Sequence, residues 1–308
     1  MALQESIKQK TTPARAHRGG AAPLALALLL ASAAPAPAQR LLSWPVRTGA
    51  GAEALLPGAA AVFWNPAATA VIEGRAEGLL LQTDGPDVTG LGGVALAGAL
   101  RPTRRMTAAL GYDHFSIDGI PRTSTSPNPD SADGEVAIAE DELALASARE
   151  LLPGLWGGAT LRYWWTSRDA GGDRGLAAGL GVHYRLPLPI PAALGGALFT
   201  GAEAGPRWLV GVEGASAPIG AGGPSIGLSY GLRDGGSGRE HRAVVSAHWR
   251  GRFQIAAGVA GGWEREPGAW EPVLAASVWL GRYSLAIVRE ELANGFGASH
   301  AYRFNVLF

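Results

Sequence analysis

Alternation of apolar and polar residues runs through most of this chain and continues to its last residue. In the final eight residues, AYRFNVLF, one parity is apolar and largely aromatic: Tyr302, Phe304, Val306 and Phe308. Arg303 and Asn305 fall on the other parity. Because successive side chains of a strand point to opposite faces, the segment has one apolar face and one polar face. This suits a strand between lipid and a polar lumen, and the alternative is the last strand of a soluble sandwich.

The same alternation, interrupted by turn residues, predicts an all-β chain of fourteen strands. They cover residues 75–84, 87–100, 104–117, 136–150, 154–168, 174–186, 192–203, 206–216, 223–233, 239–250, 252–264, 269–280, 282–292 and 297–308. An even number is usual for a transmembrane antiparallel β-barrel made from one bacterial chain. Alanine and glycine blur the period in 192–203 and 206–216, and loss of that hairpin would give twelve strands.

The connections between these strands also alternate in character. Those after even-numbered strands are short, as at 101–103 and 151–154, whereas those after odd-numbered strands include the long polar stretch 119–135. Bacterial barrels show this asymmetry, with short turns on the periplasmic side and longer loops outside. The connections at 85–86 and 204–205 are short and break the pattern.

The polar parity of several strands is predicted to face the lumen. Its members are Arg162, His183, Arg185, His248, Gln254, Arg303 and Asn305. An arginine that faced lipid near the bilayer midplane would cost about 2 to 4 kcal/mol, so this facing is strongly preferred. The inward facing of an arginine does not by itself indicate a functional role, because lumenal arginines often only pair with lumenal carboxylates.

The N-terminus has the three parts of a secretory signal peptide. A basic region is followed by an uncharged apolar run at 21–34 and by Ala36-Pro37-Ala38, which predicts cleavage after Ala38. The run is too short to span a bilayer, which takes about 20 apolar residues. An exported chain without a spanning helix can enter a membrane only as a closed barrel. We therefore predict a signal peptide at 1–38 and localisation in the outer membrane.

Composition and motifs exclude several other classes. A formal net charge of zero argues against a nucleic-acid partner, and the absence of cysteine excludes disulfides and thiolate chemistry. Asp113 and His114 are adjacent, as are Glu240 and His241, so each pair points to opposite faces of its strand. No nucleophile elbow or metal-binding motif is present. We predict no enzyme, no cofactor and no metal, with calcium in the loop 119–135 a less favoured alternative to simple solvation.

Two stretches resemble known outer-membrane proteins. The first is GAGAEALLPGAAAVFWNPAATA, which contains Asn65, Pro66 and Ala67 and is similar to the FadL and PorV/PorQ proteins. The second begins DGIPRTSTSPNPD at Asp118 and is similar to the PorV/PorQ proteins. The resemblance implies that residues 39–74 form a hatch inside a barrel of residues 75–308. The residues alone indicate a helix that begins at Pro66 and is capped by Asn65. The terminal strand ending in Phe308 is similar to the signal read by the barrel-assembly machinery.

Two functions follow from this resemblance, which favours the PorV/PorQ branch and leaves the FadL-like function as the alternative. A PorV/PorQ-like protein would serve transport, or secretion and surface attachment of secreted proteins, and its lumen would be occluded. A FadL-like protein would passively transport long-chain fatty acids or other hydrophobic small molecules, and its apolar pocket would continue into a wall opening beside the hatch. An outer-membrane hydrolase is a third, less favoured class. In all three cases outer-membrane lipid surrounds the barrel.

Overall fold

The computed structural model describes residues 49–86, 90–121, 134–168, 171–201, 206–220, 222–234, 239–262, 270–291 and 297–308. The predicted signal peptide 1–38, the first part of the predicted hatch (39–48) and most of the loop 119–135 lie outside the described residues. The statements below concern the described part of the chain.

Fourteen antiparallel strands form a closed barrel, which confirms the predicted fold and strand number. They are β1 Ala76–Asp84, β2 Leu91–Thr103, β3 Met106–Pro121, β4 Glu135–Leu152, β5 Leu155–Ser167, β6 Arg174–Arg185, β7 Ala192–Gly201, β8 Arg207–Ala215, β9 Pro224–Asp234, β10 Arg239–Trp249, β11 Phe253–Gly262, β12 Glu271–Leu280, β13 Tyr283–Glu291 and β14 Ala298–Leu307. The hairpin β7–β8 exists despite its blurred period, and a soluble sandwich is excluded.

The seam between β1 and β14 closes the barrel. These strands pair from Glu77↔Leu307 to Asp84↔His300. Beyond the last pair, the Phe308 N–H donates to the Ala76 carbonyl at 2.8 Å, and the Phe308 carbonyl accepts from the Arg75 N–H at 2.9 Å. Closure satisfies the backbone groups that an open sheet edge would leave unpaired, which a membrane interior requires.

The two ends of the barrel differ. The turn end holds the short connections after even-numbered strands together with Phe308, and the loop end holds the connections after odd-numbered strands. Gly251 and Gly281 occupy tight turns with φ values of 62° and 64°, a region that favours glycine because a Cβ is strained there.

Large apolar side chains cover the outside of the barrel. Leu110, Leu145 and Leu228 are 59%, 58% and 61% exposed, and similar residues follow on every outward parity. Aromatic residues border this belt, including Tyr163 and Trp165 towards the loop end and Trp249 and Phe253 at the turn end. A soluble monomer rarely exposes an apolar surface of this extent.

Within the described residues, no helix combines the length and apolar character needed to cross a membrane.

Candidate functional site: the barrel lumen

Residues 49–74, which we call the lumenal segment, pack against the inner wall of the barrel. The segment forms three short 3-10 helices, Glu53–Leu55, Gly58–Phe63 and Pro66–Ala70. The first contacts β7 and β8, the second β1 to β4, and the third β3 to β6. Alanines 59, 60, 61, 67 and 68 are fully buried, so small side chains let the segment lie close to the wall. It therefore fills the β1–β8 side of the lumen.

Asn65 makes hydrogen bonds within the lumenal segment and to the barrel wall. Its side-chain oxygen accepts from the Ala67 N–H at 3.1 Å and caps the helix that begins at Pro66, as the sequence indicates. Its amide group donates to the Ala54 carbonyl at 2.6 Å and to the Val182 carbonyl of β6 at 3.0 Å. Asn65 is completely buried, so each of these bonds replaces a bond to water.

Two glycines make this close packing feasible. A Cβ on Gly158 of β5 would lie 2.5 Å from the Ala67 nitrogen, and one on Gly181 of β6 would lie 2.1 Å from the Asn65 side-chain oxygen. Both distances are far shorter than a van der Waals contact, so only glycine fits without displacing the segment.

A buried ion-pair network joins the lumenal segment to the opposite wall. Glu53 lies 3.5 Å from Arg233 of β9 and 3.6 Å from Arg242 of β10. Arg242 pairs with Glu290 of β13 at 2.7 Å, and Arg233 pairs with Glu240 at 2.7 Å. Arg242 also donates to the Gly49 and Ala50 carbonyls, both at 3.3 Å. We call these five charged side chains the Glu53 network; it holds the start of the segment in place.

Arg162 faces inward and is committed to a separate ion pair. It is fully buried and donates from Nε to Glu142 Oε1 at 2.6 Å. Its guanidinium also lies 5.2 Å from the centre of the Phe199 ring. Arg162 is therefore a structural partner of Glu142 rather than a group that faces open space.

A cavity of about 880 Å³ lies in the lumen beside the lumenal segment and is lined by the wall from β6 to β14. It reaches the turn end, where Leu186 and residues 188–191 border it. Its apolar lining includes Leu55, Leu56, Val244 and Val288. The other six side chains predicted to face the lumen also line it: His183, Arg185, His248, Gln254, Arg303 and Asn305.

Three charged residues of the lumen were not predicted from the sequence. Arg242 has the parity of His248 on β10 and could have been assigned to the lumen. Glu213 lines the cavity from β8, where glycine and alanine hide the alternation. Glu53 lies in a segment without periodicity, so the alternation of apolar and polar residues could not predict its ion pairs.

The aromatic residues of β14 face outward. Tyr302 is 45% exposed and Phe308 69% exposed, while Phe304 stacks on Tyr283 with 6.0 Å between ring centres. Val306 shares their parity and pairs with Gly78 and Tyr283. The polar and aromatic parities of the terminal strand thus lie on opposite faces of the wall.

The adjacent acid and histidine residues do not act together. Asp113 is buried towards the lumen, whereas His114 lies outside and contacts Asp141 at 2.9 Å. His241 contacts the Tyr230 hydroxyl at 2.5 Å on the outer face. No cluster of three or more His, Asp or Glu side chains with metal-binding geometry occurs among the described residues.

The wall beside Asn65 is continuous. The β5–β6 ladder runs from Leu155↔Tyr184 to Trp165↔Arg174, and the β6–β7 ladder from Ala177↔Gly201 to Arg185↔Ala193. Asn65 donates to Val182 of β6, a residue that is paired in both ladders. The wall opening that the FadL-like interpretation places beside the hatch is absent from this described region.

No protein-family model matches the sequence. No curated protein matches it either.

Solved structures resemble the barrel over most of its length. The toluene transporter TbuX from Ralstonia pickettii superposes with a TM-score of 0.56 at 14% identity, covering 89% of this chain and 98% of that one. The toluene transporter TodX from Pseudomonas putida gives 0.54 at 11% identity, covering 86% and 98%. A Pseudomonas aeruginosa FadL homologue gives 0.51 at 13% identity, covering 83% and 94%. The chain thus shares the fold of FadL-like and TodX-like outer-membrane barrels.

Proposed function

We propose that this protein is an outer-membrane channel that admits small hydrophobic or amphipathic molecules through its lumen. The apolar belt supports the membrane setting, because side chains such as Leu110 and Leu145 would be poorly placed in water. In this proposal residues 1–38 direct export, residues 39–74 form the hatch, and residues 75–308 form the barrel. The terminal strand, with Phe308 at its end, engages the barrel-assembly machinery.

The size and lining of the cavity are the main support for this proposal. Its volume of about 880 Å³ lies within the range of about 300 to 1,000 Å³ that is typical of small-molecule sites. Apolar side chains and hydrogen-bonding groups both line it, which is also typical of such sites. The lumenal segment occupies the β1–β8 side of the lumen and so narrows the space beside the cavity.

The fold comparisons support the same function. TbuX and TodX are described as toluene transporters, and their barrels match this chain almost throughout their own length. A shared fold does not fix a substrate, so the assignment to small hydrophobic molecules depends on the cavity as well.

A second candidate is a PorV/PorQ-like role in protein secretion and surface attachment. The continuous β5–β6 and β6–β7 ladders favour it, because a lumen without a side exit beside Asn65 is what that role requires. In this case secreted proteins would bind the outside of the barrel and the lumen would stay closed.

Uptake of labelled toluene by a Gram-negative host that lacks its own hydrophobic-compound channels tests the first proposal. Cells that make the protein should take up toluene faster than cells with an empty vector. Ala256→Trp should abolish the gain, because Ala256 lines the cavity. Ala108→Trp adds the same ring to the outer face of β3 and should leave the gain intact. Equal uptake with and without the protein would reject transport, and co-purification of secreted proteins would then support the second candidate.

A further inference from the structure

Glu213 presents a carboxylate to the cavity without a partner. It follows Gly211 by two residues on β8, and Gly211 lies against Ala52 and Leu55 of the lumenal segment, which fixes Glu213 on the inner face. Glu213 lines the cavity and is solvent-accessible there. Among the described residues, no hydrogen bond or ion pair reaches its side chain. It is therefore open to a ligand.

Arg185 lies at the same height along the barrel axis as Glu213, but its side chain points away from Glu213. Arg185 pairs with Ala193, and Ala193 pairs with Glu213, so one strand separates the two charges. Strands are about 4.8 Å apart, which puts the two backbones about 10 Å apart. Arg185 leans to the other side, where its guanidinium lies 5.7 Å from the centre of the Trp156 ring. The carboxylate of Glu213 is left for another cation.

The rest of the lining does not supply that cation. The arginines of the lining are Arg185 and Arg303. Arg303 is close enough to Glu77 for their charges to attract. With Arg185 against Trp156 and Arg303 near Glu77, a positively charged group of a ligand can meet Glu213, whereas a negatively charged group there would be repelled.

Two buried polar atoms of the lining also have no hydrogen-bond partner among the described residues. His183 is 2% exposed and its Nδ1 makes no hydrogen bond, and the Asn305 side-chain oxygen is likewise buried without one. Both residues line the same cavity. The half-buried side chains of His248 and Gln254 also line the cavity and offer hydrogen-bonding atoms that a ligand can reach. The cavity thus suits a ligand that carries hydrogen-bonding groups as well as an apolar part.

Apolar side chains flank the space that Glu213 faces. Leu55 packs against Gly211, the residue that precedes Glu213 on the inner face of β8. Val244 lies on the same level, because Glu213 pairs with Ser229 and Ser229 pairs with Val244. A ligand whose cation meets Glu213 can therefore place an apolar body against Leu55 and Val244.

We propose that the cavity binds amphipathic amines, with the ammonium group at Glu213 and the apolar body against Leu55 and Val244. The inference rests on the proposed function, since the amine is the class of molecule that the channel carries. It adds a preference for positive charge that neither the fold nor the compared structures assign.

Three probes with the same ring separate the effect of charge from that of shape. Binding of benzylamine, benzyl alcohol and benzoate to the purified full-length protein is measured by ligand-observed NMR titration. Benzylamine, protonated at pH 7, should bind at least about tenfold more tightly than benzyl alcohol, as expected for a hydrogen bond to a charged group, and benzoate should bind most weakly.

Glu213→Gln should remove the preference for benzylamine, because it keeps the side-chain shape and deletes the charge. Glu150→Gln is the matched control: it makes the same charge change near the turn end of β4, away from the cavity lining. It should retain the tenfold preference. A heat-modifiability gel establishes that both variants are folded.

The inference is overturned if the wild type binds benzylamine no more tightly than benzyl alcohol, if Glu213→Gln keeps the preference, or if Glu150→Gln loses it equally. Uptake of labelled toluene and of labelled benzylamine by cells that make the wild type separates the two proposals. Uptake of either compound without an amine preference in binding would reject only the amine site, whereas absence of uptake of both would reject the channel itself.

Discussion

Arg242 and Glu290 form a buried ion pair at 2.7 Å although two strands, β11 and β12, separate them in the barrel wall. Small and medium side chains on the inner face of those strands, including Ala260 and Val273, leave room for the arginine to cross. Since Arg242 also contacts Glu53, it links both sides of the lumen.

Arg242→Gln should destabilise the folded barrel by about 3 to 5 kcal/mol, because it leaves buried carboxylates uncompensated. Urea unfolding in detergent micelles measures the change. Arg289→Gln is the control, since Arg289 forms a pair with Glu291 at 2.6 Å on the outside and is 52% exposed. That variant should lose less than about 1 kcal/mol. Equal losses would show that the Glu53 network contributes no special stability.

Asn65→Ala should lower the free energy of unfolding by about 1 to 3 kcal/mol, since the Ala54 and Val182 carbonyls lose their donor. Gln82→Ala removes an exposed amide that only contacts Asp84, and it should have little effect. The two variants are compared by their unfolding midpoints. A stable Asn65→Ala protein would mean that water replaces the amide without cost.

Gly158→Ala should push the lumenal segment away from β5, because the new methyl group would overlap Ala67 and Pro66. Overpacking of this kind costs about 1 to 3 kcal/mol. Hydrogen exchange of residues 65–70 should become faster. Gly98→Ala meets no atom closer than 3.9 Å and should leave exchange unchanged. Unchanged exchange in Gly158→Ala would count against tight packing of the segment.

Phe308→Ala should reduce the fraction of protein that assembles in the membrane while leaving the stability of assembled protein nearly unchanged. The ring is 69% exposed, whereas the backbone of Phe308 closes the seam with Arg75 and Ala76. Deletion of Phe308 removes both contributions and should lower assembly and stability together. Pulse-labelled cells followed by heat-modifiability gels distinguish these effects. Normal assembly of Phe308→Ala would contradict an insertion role for the ring.

Leu145→Arg should destabilise the membrane-embedded barrel by about 2 to 4 kcal/mol, because Leu145 lies in the middle of the apolar belt. Leu151→Arg places the same charge at the turn end, where the cost should fall to about 0 to 1 kcal/mol. Unfolding from lipid vesicles provides the measurement. A similar effect at both positions would argue that no bilayer surrounds the belt.

The sequence predicted the barrel because its signal is local. In β5, β6, β10 and β14, polar residues alternate with aromatic or aliphatic ones, so the facing of Arg162, His183 and Arg303 can be inferred from parity alone. Strand β8 has too many glycines for this, which is why Glu213 was missed. Parity assigns a face, but it does not say which side chains meet across the lumen.

Ion pairs of the Glu53 network join residues from non-neighbouring strands and from a segment that has no period. Such contacts depend on how the lumenal segment folds back into the barrel, and no local pattern encodes that. The continuous wall beside Asn65 is also a property of the closed ladders rather than of any single motif.

The unequal strand lengths give the barrel a slanted rim. At about 3.3 Å per residue and a tilt of about 45°, the 18 residues of β4 rise about 42 Å, whereas the 9 residues of β8 rise about 21 Å. The apolar band of such barrels is about 25 Å tall. Strands β3 and β4 therefore extend beyond an apolar band of that height, whereas β8 stays within it.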